Sequence, residues 1–132
     1  MIVLGIESSC DETAASIVKD GTKILSSIIA TQIDVHHKYG GVVPELASRM
    51  HIEAITPVVD EAIKKADISL EDIDAVAATR GPGLIGALLV GFTFAKSLAW
   101  ARHLPFAGVN HLEAHIYSLF LSNSKPEFPF IA

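Results

Sequence analysis

Cysteine is all but missing: Cys10 stands alone among 132 residues, so no disulfide can close within the chain and stability must come from burial. Basic residues are scarce as well. Lys and Arg number 10 against 15 Asp and Glu, leaving a net charge of −5 and a pI near 5.6. Phosphate backbones are gripped largely by clustered Lys and Arg, so this balance argues against a domain that holds nucleic acid by its own field. If nucleic acid is a substrate, other polypeptide must hold much of it. Long apolar runs are also wanting. The longest uncharged stretch, Gly81 to Ala95, falls short of the ~20 apolar residues of a membrane-spanning helix and reads as a buried or partner-covered helix. The opening Met1-Ile2-Val3-Leu4-Gly5 lacks the charged n-region and cleavage site of a secretory signal, so cytoplasmic localisation is expected.

What the chain does have is a hydrophobic content of 50%, enough at this length for one domain with a real core and too little chain for two. Ile2 to Ile6 and Ala14 to Val18 read as strands, and Asp20-Gly21 supplies a hairpin turn into a third, Lys23 to Ala30. After a loop holding Tyr39-Gly40-Gly41, a helix starts at Pro44 and continues to about Ala66, with Pro57 as a kink or break. A capped turn at Ser69-Leu70-Glu71-Asp72 precedes a strand from Ile73 to Ala78. A long apolar helix follows from Leu84 to Arg102, then a short strand, Phe106 to Val109, and a last helix, Asn110 to Ser122. The order βββαβαβα defines an α/β domain with a mixed sheet and helices on both faces. That is the order of ribonuclease-H-like domains and of each half of the actin-like ATPases. The expected domain is 1–124, with 125–132 as a Pro-rich spacer and the first strand, Phe128 to Ala132, of a second actin-like domain; on this reading the chain is a fragment.

The run Asn110-His111-Leu112-Glu113-Ala114-His115 carries the most chemistry. On a helix capped by Asn110, His111 and His115 stack on one face with Cβ atoms roughly 5–6 Å apart, within reach of one metal ion. This is a two-His metal half-site, against the plain alternative of two histidines that merely fall four apart. A zinc peptidase needs its Glu directly after the first His, whereas Glu113 lies two residues on and, at about 100° per residue, points roughly 200° away. Glu113 is better read as a first-turn carboxylate favoured by the helix dipole.

The turn Glu7-Ser8-Ser9-Cys10-Asp11-Glu12-Thr13 concentrates carboxylates and hydroxyls, suited to phosphate or metal-bound phosphate chemistry, or else to an ordinary solvated hairpin. Cys10 has no basic neighbour in sequence to make it a nucleophile and reads as a small residue packed at a strand end. Gly81-Pro82-Gly83-Leu84-Ile85-Gly86 fits G-x-G-x-x-G, but positions 101 to 112 hold no Asp or Glu, so a nicotinamide site is set aside. Gly83, Ala87, Gly91 and Ala95, four apart, make a flat helical face open to another helix. Glu45 and Arg49 form an i,i+4 surface pair, and the scattered His36, His37, His51 and His103 receive no role.

Together, Gly5 to Thr13, the run Tyr39-Gly40-Gly41-Val42-Val43-Pro44-Glu45-Leu46-Ala47-Ser48-Arg49 with His51, Gly81-Pro82-Gly83-Leu84, and His111-Leu112-Glu113-Ala114-His115 resemble the TsaD (glycoprotease-like) family over the whole chain. The resemblance implies transfer of a threonylcarbamoyl group from threonylcarbamoyl-adenylate to the adenosine next to the anticodon of tRNA. It implies one divalent metal, iron or zinc, on His111 and His115 with an Asp from the second half. It also makes Asp11 and Glu12 the active-site acids and gives Ser9 a contact with the adenylate-containing substrate. Implied partners are tRNA, a TsaB-type actin-like paralogue docking on the apolar helices Pro44 to Ala66 and Leu84 to Arg102, and a TsaE-type ATPase, with self-association of the fragment through the same helices. The chain alone is expected to fold but to transfer nothing. The competing readings are a metallopeptidase (O-sialoglycoprotein endopeptidase), an older label for this family, and a noncatalytic scaffold of the same fold.

Overall fold

The computed structural model describes residues 1–121 and Glu127. β1 (Ile2–Glu7), β2 (Glu12–Lys19) and β3 (Lys23–Thr31) form an antiparallel meander, and β4 (Ala75–Gly81) and β5 (Phe106–Asn110) extend it in parallel. The sheet order is β3-β2-β1-β4-β5. The β2–β3 turn forms as expected: Asp20 and Gly21 both take positive φ, 53° and 73°, matching the right-handed twist of the strands they join.

Strand alternation decides the layers. Leu4 and Ile6 of β1, Ala15 and Ile17 of β2, Ile28 of β3 and Val76 and Ala78 of β4 are buried on one face. They pack against α2 (Pro44–Lys65), through Ile55, Val58, Val59 and Ala62, and α3 (Ile85–Ala101), through Ala95 and Ala99. Burying each large aliphatic side chain contributes about 1.5–3 kcal/mol, so this single layer carries most of the domain's stability. The opposite face, with Gly5, Glu7, Ala14, Ser16, Ala77 and Thr79, is overlain at its β4–β5 side by α4 (His111–Ser118), whose His111, Ala114, His115 and Ser118 share a cleft with those strand residues. Helices therefore lie on both faces, as the element order predicts.

Four expectations are corrected. Pro57 does not break α2, because both it and Glu53, whose carbonyl loses its helical partner, lie on the exposed side where water replaces the bond. The supposed loop after β3 contains a four-residue helix, α1 (Ile33–His36), held by buried His36. The last helix is shorter than expected, with Leu119–Leu121 continuing as a 3-10 turn, and its apolar residues Leu112 and Ile116, four apart, are exposed. The small-residue face of α3 is not open to a partner helix. Ala87, Gly91 and Ala95 are buried, and Gly91 lies so close to β1 that a Cβ there would come within 2.4 Å of the Ser8 hydroxyl. The expected helix tail at 122 and the spacer and strand at 125–132 fall outside the described residues, Glu127 apart.

Candidate functional site

β1, β4 and β5 run parallel, so their carboxyl ends open on one edge of the sheet, where open α/β sheets take ligands. Glu7 ends β1, Gly81 ends β4, and Asn110 ends β5 and caps α4, its side chain accepting from the N–H groups of Leu112 and Glu113 at 2.9 and 3.2 Å. The cap fixes the first turn of α4 and with it His111. A cleft of about 570 Å³ opens beside it, lined among others by Glu7, Ser9, Asp11, Glu12, His111 and His115. All five residues singled out as site residues from sequence thus line one cavity.

The two imidazoles meet nearly edge to face, ring centroids 4.5 Å apart, with their Nε2 atoms separated by 3.1 Å. Two nitrogens on one tetrahedral ion at about 2.0–2.1 Å are ~3.3 Å apart, so the separation of this donor pair is close to that of two ligands on a single metal. Among the described residues no group of three or more His, Cys, Asp or Glu side chains is placed to hold a metal, so the pair remains a half-site. Glu113 is exposed, and its backbone N–H is one of the two that Asn110 caps.

Behind His111 stands Glu7, which sequence reasoning left inside the general polar turn. Its Oε2 lies 3.2 Å from His111 Nδ1, and the Ser9 hydroxyl lies 3.2 Å from the same nitrogen. The Glu7 carboxylate also accepts from the Ser9 backbone N–H and the Thr79 hydroxyl. Burial pushes the Glu7 carboxyl upward, but hydrogen bonds from the Ser9 hydroxyl, Thr79, the Ser9 N–H and His111 outweigh it, so its pKa falls below the ordinary carboxylate value. The carboxylate is held ionised in a half-buried place. One signal was available in the sequence: Glu7 shares strand parity with Gly5, pointing away from the core side of Leu4 and Ile6.

Asp11 sits on the turn beyond Ser9 and Glu12 opens β2, and that turn is braced from below. His51, fully buried, accepts at Nδ1 from the Thr13 hydroxyl at 2.7 Å and donates from Nε2 to the Cys10 carbonyl at 3.0 Å. The Gln32 amide reaches the same Nδ1 at 3.4 Å, while its oxygen lies 3.0 Å from His36 Nε2. His36 in turn accepts from the Val43 N–H at 3.3 Å, which ties the loop after α1 into the network. His36 and His51 are therefore satisfied structural histidines. Cys10 itself departs from expectation: its side chain is exposed, and burial, the Asp11 hydrogen bond and the neighbouring carboxylates push its thiol pKa up. Ser8 instead takes the buried place at the strand end, donating to the Ala87 carbonyl at 2.7 Å.

A family model described as "TsaD: tRNA N6-adenosine threonylcarbamoyltransferase" matches residues 23–132. A tRNA N6-adenosine threonylcarbamoyltransferase from Desulforapulum autotrophicum is 68% identical over 132 residues, covering 100% of this chain and 40% of that protein. This chain belongs to the TsaD family. A second member, from Syntrophus aciditrophicus, is 62% identical over 132 residues, covering all of this chain and 39% of its own length. The chain thus spans about 40% of the length of the curated TsaD relatives it matches. Among solved structures, YeaZ from Pseudomonas aeruginosa superposes with a TM-score of 0.61 at 20% identity, over 83% of this chain and 45% of that one. T. thermophilus RuvC, solved in complex with a Holliday junction substrate, gives 0.53 at 12% identity over 98% of this chain and 84% of that one. Both likenesses concern the fold alone, and they place this TsaD chain among ribonuclease-H-like α/β domains.

Proposed function

We propose that this chain forms the metal-bearing wall of a tRNA-modifying transferase, which moves a threonylcarbamoyl group from threonylcarbamoyl-adenylate to the exocyclic amine of the adenosine next to the anticodon. The observation that carries the reading is the pair of Nε2 atoms 3.1 Å apart on the lip of a cleft that Asp11 and Glu12 also line. His111 and His115 hold one divalent ion, iron or zinc, completed by a ligand from the rest of the longer protein. A metal with open positions supplies Lewis acidity toward a carbonyl oxygen. The chain's own side chains do the rest. Ser9 contacts the adenylate-containing substrate, and Asp11 and Glu12 orient the acceptor amine and take the proton it releases as the new C–N bond forms and adenylate departs.

An acidic chain cannot hold tRNA by itself, so the remaining polypeptide and its partners supply that grip. A TsaB-type actin-like paralogue docks on the groove between α2 and α3, whose apolar lining includes Ile52, Leu89 and Phe94, with Trp100 beyond it. A TsaE-type ATPase completes the system in the cytoplasm. The test supplies threonylcarbamoyl-adenylate, unmodified tRNA and the accessory proteins to the full-length protein, its His111→Ala and Asp11→Asn variants and the 132-residue chain, and counts modified adenosine by nucleoside mass spectrometry. The full-length protein turns over, and both variants lose at least about a hundredfold. The chain alone transfers nothing, because pre-organised catalysis needs both walls of the cleft. Full activity of His111→Ala would remove the metal pair from the mechanism.

A further inference from the structure

We propose that Glu7 is a positioning residue for the metal pair: its carboxylate holds His111 as the Nδ1–H tautomer, so that the Nε2 lone pair faces His115. The inference rests on reading His111 and His115 as metal ligands, and it concerns what aims them. Glu7 meets His111 on the Nδ1 side, 3.2 Å away, whereas His115 lies on the Nε2 side at 3.1 Å. Opposite edges of one ring are therefore engaged. Glu7 would not itself be a ligand, because it engages the edge of the imidazole opposite the Nε2 that would face a shared ion.

The argument turns on what each atom can donate. Both Glu7 oxygens already act as acceptors, Oε1 from the Ser9 N–H and Oε2 from the Thr79 hydroxyl, so the proton in the contact with His111 sits on Nδ1. In the neutral imidazole Nε2 of His111 is then the acceptor, and His115 Nε2–H is the donor in the 3.1 Å contact between the rings. Were His111 the other tautomer, Nδ1 and the carboxylate would be two acceptors facing each other, with the one proton of the Ser9 hydroxyl, 3.2 Å from Nδ1 and bonded to Glu7, to serve both. The carboxylate does not drift to suit the ring, because Ser9 N–H fixes one oxygen and the Thr79 hydroxyl the other. These anchors belong to different strands' ends. β1 and β4 pair in parallel with Ile6 opposite Ala78, which brings Glu7 beside Thr79, and the pairing of β4 with β5 brings His111 to the same edge. A ligating His oriented through its second nitrogen by a carboxylate is the usual way a protein fixes a metal's imidazole, and loss of such a partner costs about 10–100-fold in affinity.

The test uses Glu7→Gln, which keeps the side chain's size but puts a donor where an acceptor stood. With the amide oxygen on Ser9 N–H, its NH₂ points at His111 Nδ1 and selects the Nε2–H tautomer. Nitrogen-15 spectra of the histidine rings, in the metal-free chain and in the variant, read the tautomer directly. Zinc titrations against a competing chelator read affinity. Wild type is expected to show His111 as Nδ1–H, and Glu7→Gln to show Nε2–H with zinc affinity lowered about 10–100-fold. A wild-type Nε2–H tautomer overturns the proposal, as does a Glu7→Gln protein that keeps Nδ1–H and binds zinc within about twofold of wild type. The wild-type spectrum needs no variant to fold. His115→Ala separates the two readings: unchanged zinc affinity in that variant removes the metal pair, while the tautomer result still decides the role of Glu7.

Discussion

Replacing Gly91 with Ala should destabilise the domain through one contact, and a second substitution should nearly abolish the effect. A Cβ at position 91 would sit 2.4 Å from the Ser8 hydroxyl oxygen, 3.2 Å from Ser8 Cβ and 3.3 Å from Ile6 Cγ2. Ordinary van der Waals contact lies at about 3.5–4.0 Å, so the hydroxyl must rotate away or the helix must retreat. Overpacking of this size costs about 1–3 kcal/mol. Rotation also breaks the bonds that Ser8 makes to the Ala87 carbonyl at 2.7 Å and from the Gly91 N–H at 3.0 Å, about 1 kcal/mol more. Against this stands about 1 kcal/mol gained by Ala over Gly inside a helix, leaving a net loss of about 2 kcal/mol. In a Ser8→Ala background the 2.4 Å contact no longer exists and the remaining ones need shifts of only a few tenths of an ångström. The same Gly91→Ala change should then cost close to zero, giving a coupling of about 1.5–2 kcal/mol. Urea denaturation of the four proteins measures it. Costs that agree within about 0.5 kcal/mol in the two backgrounds would refute the claim that Ser8 sets how closely α3 lies on β1.

Three further outcomes follow from other parts of the molecule. His51→Leu leaves the Thr13 hydroxyl, the Cys10 carbonyl and the Gln32 amide short of a partner, and should cost about 3 kcal/mol in urea denaturation while speeding amide exchange in the turn from 10 to 13; a loss under about 1 kcal/mol would mean that the network is not holding that turn. Leu89→Lys and Trp100→Ala alter exposed positions and should leave stability within about 0.5 kcal/mol while abolishing capture of the actin-like partner, and retained binding in both would move the docking face elsewhere. Asp72 is held below its ordinary pKa of 3.8 by the Ser69 hydroxyl and backbone N–H, so the stability it adds is complete above that value and is lost as pH falls through the lowered one; the gap in stability between wild type and Asp72→Asn should narrow on acidification, and a gap constant from pH 7 to 3 would contradict the linkage.

The layers of the fold were legible because burial and periodicity coincide. Leu4, Ile6, Ile17 and Val76 alternate along strands whose other face is small or polar, and α2 and α3 repeat apolar residues at helical spacing. What escaped was a short element held by the polar contacts of one buried side chain. α1 has four residues and a single buried side chain, His36, whose partner Gln32 precedes it; no period is long enough there to register. The small-residue stripe of α3 was visible as a close-packing face, but spacing alone does not say whether a helix or a sheet approaches. Ser8 decides it, by reaching from the end of β1 to Ala87 and Gly91.

The site divides along the same line. His111 and His115 declare themselves by local spacing, since four residues on a helix place two rings together whatever the rest of the chain does. Glu7 could not be found that way, because its partners Thr79 and His111 lie 72 and 104 residues away in sequence. They become neighbours only once β1, β4 and β5 are laid in parallel register, so their proximity is a property of the sheet. The meander supplies Glu7, the first crossover Thr79, and the second crossover the capped helix with its two histidines. An ordering of strands that any α/β domain of this type must adopt therefore turns a carboxylate in a polar turn into the group that sets which nitrogen His111 presents.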